Sequence, residues 1–243
     1  MNRKLSSLNG LGLFTAWTLI IGTLISYSPQ YYKIYKNKNT NGISESMLIF
    51  GIYSSYLNVL GTIQENLFQL NNCNENCFNT MIPIIQLFSP CLCAIIYYIF
   101  YIYYYDENEN ENNKKKIIDN AKINILVVFL LLIYFFFMIN LANIDFNDSS
   151  GKILNIFSTI FSLIMWIPQI YTTYNLKNNH TLSLLALLIH SIGCLITIIY
   201  QTFIIYQPIW IILSYIVGFL SELSILISSL YYKYQSDENT SLY

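Results

Sequence analysis

The stretch Tyr27-Ser28-Pro29-Gln30-Tyr31-Tyr32-Lys33-Ile34-Tyr35-Lys36-Asn37-Lys38 closes a long apolar run and opens a lysine-bearing one. Its proline removes a backbone donor and bends the helix that holds it. Trp166-Ile167-Pro168-Gln169-Ile170-Tyr171-Thr172-Thr173-Tyr174-Asn175-Leu176-Lys177 repeats the pattern, with Pro168 falling 139 residues after Pro29. Without a gap, Pro29, Gln30, Tyr32, Tyr35, Lys38, Asn39 and Ser44 align with Pro168, Gln169, Tyr171, Tyr174, Lys177, Asn178 and Ser183. Agreement at this density along two helix ends points to a duplicated unit.

Working outward, the 243 residues are 55% hydrophobic and only 10% charged, where a soluble domain has about 25% charged residues. Too few polar side chains remain to coat a surface in water, so the chain is expected in the lipid bilayer. A net charge of -1 and the lack of a large basic cluster predict no nucleic-acid partner. A spanning helix needs about 20 mostly apolar residues. Seven runs qualify: Leu11 to Tyr35, Ile43 to Ile63, Thr80 to Tyr105, Ile123 to Ile144, Lys152 to Tyr174, Leu182 to Tyr206 and Pro208 to Tyr232.

The fold expected is therefore an all-α membrane protein of seven transmembrane helices, two parallel three-helix repeats joined by one linking helix. Residues 11–105 form the first repeat, 106–122 a mobile cytosolic linker, 123–144 the linking helix, 152–232 the second repeat and 233–243 a cytosolic tail. An odd linking helix inserts both repeats in the same orientation. With the amino terminus noncytosolic and the carboxyl terminus cytosolic, the cytosolic side holds nine of the twelve basic residues, as the positive-inside rule requires. Arg3 and Lys4 alone argue against that orientation at the first helix.

The doubled Pro-Gln, each copy at the cytosolic end of a repeat's first helix and each followed by Gly42-Ile43-Ser44 or Thr181-Leu182-Ser183, resembles the PQ-loop repeat family. That family includes cystinosin, the lysosomal cationic amino acid exporters and, more distantly, the SWEET sugar transporters; the segments around both motifs look closest to a little-characterised fungal and protist branch. The resemblance covers nearly the whole chain. It implies a carrier of a small organic solute, with an amino acid as the leading expectation, in an endolysosomal or vacuolar membrane. It also implies that Pro29, Gln30, Pro168 and Gln169 act as hinges for alternating access. Tolerated membrane kinks are the bland reading of such prolines, and the two glutamines are expected to satisfy backbone groups freed by the prolines rather than to touch substrate. Exporters of the family place an acid in the helix after a PQ loop; here that helix has only Glu45 at its mouth in the first repeat and His190 without an acid in the second.

Glu222 is the one acid well inside an apolar run, where a charge costs at least about 2.5 kcal/mol, so it is expected to face protein or water. His190 and Glu222 lie at similar depths on consecutive antiparallel helices, about 12 and 15 Å from the cytosolic ends at 1.5 Å per residue. An imidazole beside a carboxylate suits proton coupling; a neutral pair tying two helices is the structural alternative. Asn58, near the midplane, and its repeat counterpart Thr197 are the other candidate substrate contacts, with an interhelical hydrogen bond as the alternative for Asn58. Cys73 and Cys77 are placed in a noncytosolic loop where a disulfide is permitted, and Asn147-Asp148-Ser149 reads as a glycosylation sequon in another. Cys194 is expected to be an apolar filler. No metal cluster, nucleophile constellation or phosphate loop emerges, so no cofactor and no enzymatic activity are expected. The partners expected are lipid, a small solute and protons, with the oligomeric state left open. Two other functions stay open: a nontransporting receptor or scaffold on the same bundle, and a SWEET-like sugar facilitator.

Overall fold

A computed structural model of the chain describes residues 10–40, 43–67, 77–105, 111–141, 144–176 and 183–240. Seven helices account for nearly all of them: α1 (Gly10–Asn37), α2 (Glu45–Glu65), α3 (Cys77–Tyr103), α4 (Glu111–Leu141), α5 (Ile144–Leu176), α6 (Leu184–Phe203) and α7 (Ile209–Thr240). Among the described residues, six of the seven are long and apolar enough to cross a membrane, all but α1. Large apolar side chains such as Phe14, Ile125, Phe129, Phe136, Ile167 and Leu185 stand exposed on the helix faces, as expected where lipid is the solvent.

Helix boundaries differ from the hydropathy reading in three places. The fourth helix starts at Glu111, inside the stretch expected to be a mobile linker, and an Asp119–Lys122 pair at 3.1 Å sits on its polar opening. Hydropathy cannot see a helix made of Glu, Asn and Lys, although Glu and Lys are good helix formers. The fifth begins at Ile144, so Asn147 lies in a helical turn rather than in a loop. The seventh continues to Thr240, through most of the expected tail. Cys73 lies outside the described residues, and Cys77 opens α3.

Packing follows the duplication. Within the first repeat α3 lies against both α1 and α2; within the second, α7 lies against both α5 and α6. The repeats meet along two seams, α2 with α5 and α1 with α6. The linking helix α4 rests lightly on α2 and exposes a run of apolar residues from Ile123 to Phe136. Each repeat's second helix starts at an N-cap serine: Ser44 accepts from Met47 N at 3.4 Å and Ser183 from Ala186 N at 3.3 Å.

The two seams are not equal. Along α2–α5, Ser54 and Ser158 exchange hydroxyl-to-carbonyl bonds of 2.9 and 2.7 Å. One turn or two further on, a Cβ on Gly61 would stand 2.6 Å from Asn155 Oδ1 and 2.8 Å from the Gly151 carbonyl. Small residues at such points let backbones touch in lipid. In α1–α6 the position equivalent to Gly61 is Tyr200, fully buried in a cluster with Ala16, the equivalent of Asn155. The large residue has moved to the other helix of the pair, and backbone contact is replaced by a ring.

At the end of the bundle away from the Pro-Gln motifs, Glu65 ties three helices. Its Oε1 accepts from Asn155 Nδ2 at 2.7 Å and from Trp210 Nε1 at 2.9 Å, and Lys152 lies 5.6 Å from the Trp210 ring centroid. A carboxylate with two donors and a nearby ammonium is well compensated in a poorly hydrated setting.

Candidate functional site

Pro29 and Pro168 lie inside α1 and α5, where each withholds one backbone donor. For α1 the freed carbonyl is that of Ile25, and the hydroxyl of Ser28 donates to it at 2.8 Å. Ser89-Pro90 in α3 uses the same device, Ser89 donating to the Gln86 carbonyl at 2.8 Å. In α1, then, the compensation comes from the serine before the proline rather than from Gln30.

The glutamines serve backbone groups of a different kind. Gln30 Oε1 accepts from Ser183 N at 2.7 Å, and Gln169 Oε1 accepts from Ser44 N at 3.1 Å. Both amides are buried. In an ordinary capping box a Glu or Gln at N3 reaches back to the N-cap N–H; here N3 is Met47 or Ala186, neither of which can accept. The Pro-Gln glutamine of the opposite repeat takes that place, so each motif closes the helix start across the repeat interface.

Between the repeats lie two cavities that share a wall. The larger, of about 310 Å³, is lined by polar side chains including Asn58, Gln86, Thr197, Ser214, His190 and Glu222. The smaller, of about 110 Å³, runs toward the Pro-Gln end and is lined by Gln30, Trp166 and Ser183, and again by His190 and Glu222. All four sequence-derived contact candidates, Asn58, Thr197, His190 and Glu222, thus line one space.

His190 Nδ1 and Glu222 Oε1 are 2.5 Å apart, a hydrogen bond between α6 and α7. Glu222 is 1% exposed, so its carboxyl is satisfied by protein rather than by bulk water. The Tyr27 ring meets the imidazole edge-on with centroids 5.3 Å apart. Asn58 Nδ2 donates to Ser214 Oγ at 3.1 Å, an interhelical bond on the cavity wall. Thr197 Oγ1 donates to its own helix at the Gly193 carbonyl, 2.9 Å away. No lysine or arginine lines either cavity among the described residues.

Cys194, expected as an apolar filler, has polar neighbours. One turn beyond His190 on α6, its Sγ lies 3.9 Å from His190 Nδ1 and 3.9 Å from Glu222 Oε2. It is buried, as expected of a filler, yet it faces polar partners. With it the structure assembles a His-Cys-Glu cluster where sequence showed no metal-ligand pattern. The i, i+4 spacing of His190 and Cys194 was visible, but the third member stands 28 residues further on, in another helix.

The family model for the PQ loop repeat matches residues 11–71 and 150–211, one region in each half and each containing a Pro-Gln motif. The chain belongs to the PQ-loop repeat family. No curated protein sequence matches this PQ-loop protein. Among solved structures it is similar to a eukaryotic SWEET transporter determined at 3.7 Å, with a TM-score of 0.55 and 13% identity over 92% of this chain and 99% of that one. At that identity the likeness is one of fold, and it supports the seven-helix arrangement. Membership of the family, with six helices apolar enough to span a bilayer, makes the protein a multi-pass membrane protein.

Proposed function

We propose that this PQ-loop protein carries a small organic solute bearing an amino group, with amino acids as the leading class, through the space between its repeats. The observation that carries this reading is the composition of the 310 Å³ cavity: among the described residues its wall has one buried carboxylate, Glu222, hydrogen-bonded to His190, with hydroxyls and amides and without a lysine or arginine. An anion would meet no fixed countercharge there. An ammonium group would find a carboxylate, and Asn58 offers both donor and acceptor to a polar or zwitterionic remainder. An internal cavity of this kind fits a carrier better than a receptor with a peptide-sized mouth.

In this reading His190 and Glu222 exchange a proton or the solute's ammonium group as the repeats rearrange, and the Pro-Gln motifs are the hinges. The nine-to-three distribution of basic residues supports a noncytosolic amino terminus, and family resemblance supports an endolysosomal or vacuolar membrane. A second reading, a sugar facilitator, draws on the hydroxyls and amides of Ser54, Asn58, Gln86 and Ser214 on the same wall.

Uptake of radiolabelled amino acids and sugars into proteoliposomes at two pH values decides between them. Saturable uptake of cationic or zwitterionic amino acids, responsive to pH, is expected; uptake restricted to sugars would replace the first reading with the second. Glu222→Gln should flatten the pH response. Unchanged pH dependence in that variant would remove His190 and Glu222 from coupling.

A further inference from the structure

We infer that His190, Cys194 and Glu222 form a binding site for a thiophilic divalent cation of the zinc class, at the wall shared by the two cavities. Imidazole, thiolate and carboxylate are the three side-chain ligands that Zn²⁺ uses, and three protein ligands with one open position is a common arrangement. The donor atoms lie within 4.8 Å of one another. Around a tetrahedral ion with bonds of about 2.0 to 2.3 Å, ligand atoms stand about 3.3 to 3.6 Å apart. The two sulfur distances of 3.9 Å need to shorten by a few tenths of an ångström, and the 2.5 Å nitrogen-to-oxygen distance needs to open by less than one. Rotations about side-chain bonds supply such shifts, since His190 and Cys194 share one turn of α6 and Glu222 faces them from α7.

Charge favours the same conclusion. One carboxylate and one thiolate neutralise a divalent ion, while the imidazole remains neutral, so the loaded site carries no net charge into the low-dielectric bundle. Binding exchanges the Cys194 thiol proton for a sulfur–metal bond. Hard cations such as Mg²⁺ and Ca²⁺ prefer all-oxygen shells, and a sulfur ligand selects against them. Both cavities reach His190 and Glu222, and the larger also reaches Cys194, which gives the ion a route in and leaves its fourth position facing open space. Occupation ties α6 to α7 through the pair on which the proposed coupling depends, so zinc is expected to inhibit transport.

The site is tested by binding, independently of whether the protein transports anything. Purified full-length protein in detergent is titrated with Cd²⁺, whose bond to a thiolate gives an ultraviolet charge-transfer band, and Zn²⁺ is then added as competitor. One site per chain is expected, with the band retained when Cys73, Cys77, Cys91 and Cys93 are all replaced by serine. Cys194→Ser in that background should abolish the band, and Zn²⁺ affinity followed by the rise in melting temperature should fall about 100-fold or more; His190→Gln and Glu222→Gln should each weaken it by about tenfold or more. Should Cys194→Ser fail to fold, Cys194→Ala provides the same comparison. A band that survives loss of Cys194, or no saturable binding to folded wild-type protein, would overturn the site.

Discussion

Gln30 and Gln169 do for the opposite repeat what a residue at N3 does for its own helix in a capping box. Each supplies the acceptor for an N-cap N–H, buried at Ser183 and part-buried at Ser44, and leaving such a group unpaired costs up to about 1–3 kcal/mol. Gln30→Met keeps the length of the side chain and removes the acceptor. It should lower stability by about that amount, as should Gln169→Met, and differential scanning fluorimetry in detergent reads the fall in melting temperature; an unchanged melting temperature in both variants would show that the cross-repeat caps carry no weight. Sequence made the Pro-Gln pair conspicuous because the motif repeats, and Ser44 and Ser183 appeared as matched positions. That each serine N–H meets the other motif's glutamine was not legible, because Gln30 and Ser183 are 153 residues apart and meet only once α1 packs on α6. His190 and Glu222 were legible for the opposite reason: a short connection between consecutive helices fixes relative depth. Cys194 was missed because burial, the usual fate of a free thiol, says nothing about which groups it faces.

At the scale of the helices, hydropathy located the spans and failed where helix continues beyond the apolar window, at Glu111 and at Thr240. It also gave no hint that two seams related by duplication are built differently. Gly61 has no room for a Cβ, since the atom would meet Asn155 and a backbone carbonyl. Gly61→Ala should therefore push α5 from α2 and cost about 1–3 kcal/mol, as overpacking does. Gly193→Ala is the control: its Cβ meets nothing within 4 Å, and no packing loss is expected in the same melting assay. The prolines belong to this scale too. Ser28 satisfies the carbonyl that Pro29 frees, which lowers the cost of bending α1 there without restoring the ladder. Replacing both Pro29 and Pro168 by alanine restores two donors and straightens two helices, so uptake should be lost while membrane insertion, followed by protease protection, is kept; undiminished uptake would exclude the hinges.

For the molecule as a whole, the inequality of the seams assigns unequal parts to them if the repeats move. The α2–α5 seam is held by reciprocal serine bonds, by direct contact at Gly61 and Gly151, and by the Glu65 network that reaches Trp210 on α7. The α1–α6 seam has Tyr200 against Ala16 at the equivalent place, a side-chain contact that can slide or part without breaking backbone contact. Packed interfaces change state as units rather than by continuous deformation, so motion is expected at the looser seam, with α2–α5 as its pivot. Cross-linking separates the two roles. With the native cysteines replaced by serine, Ser54→Cys with Ser158→Cys places two thiols where hydroxyls now stand 3.4 Å apart, close enough for a disulfide. That bond should leave most of the uptake intact, whereas a short thiol cross-linker between Ala16→Cys and Tyr200→Cys should arrest uptake until it is cleaved. Arrest by the first pair and not by the second would put the pivot on α1 and α6 instead, and with it the moving gate beside the paired serines.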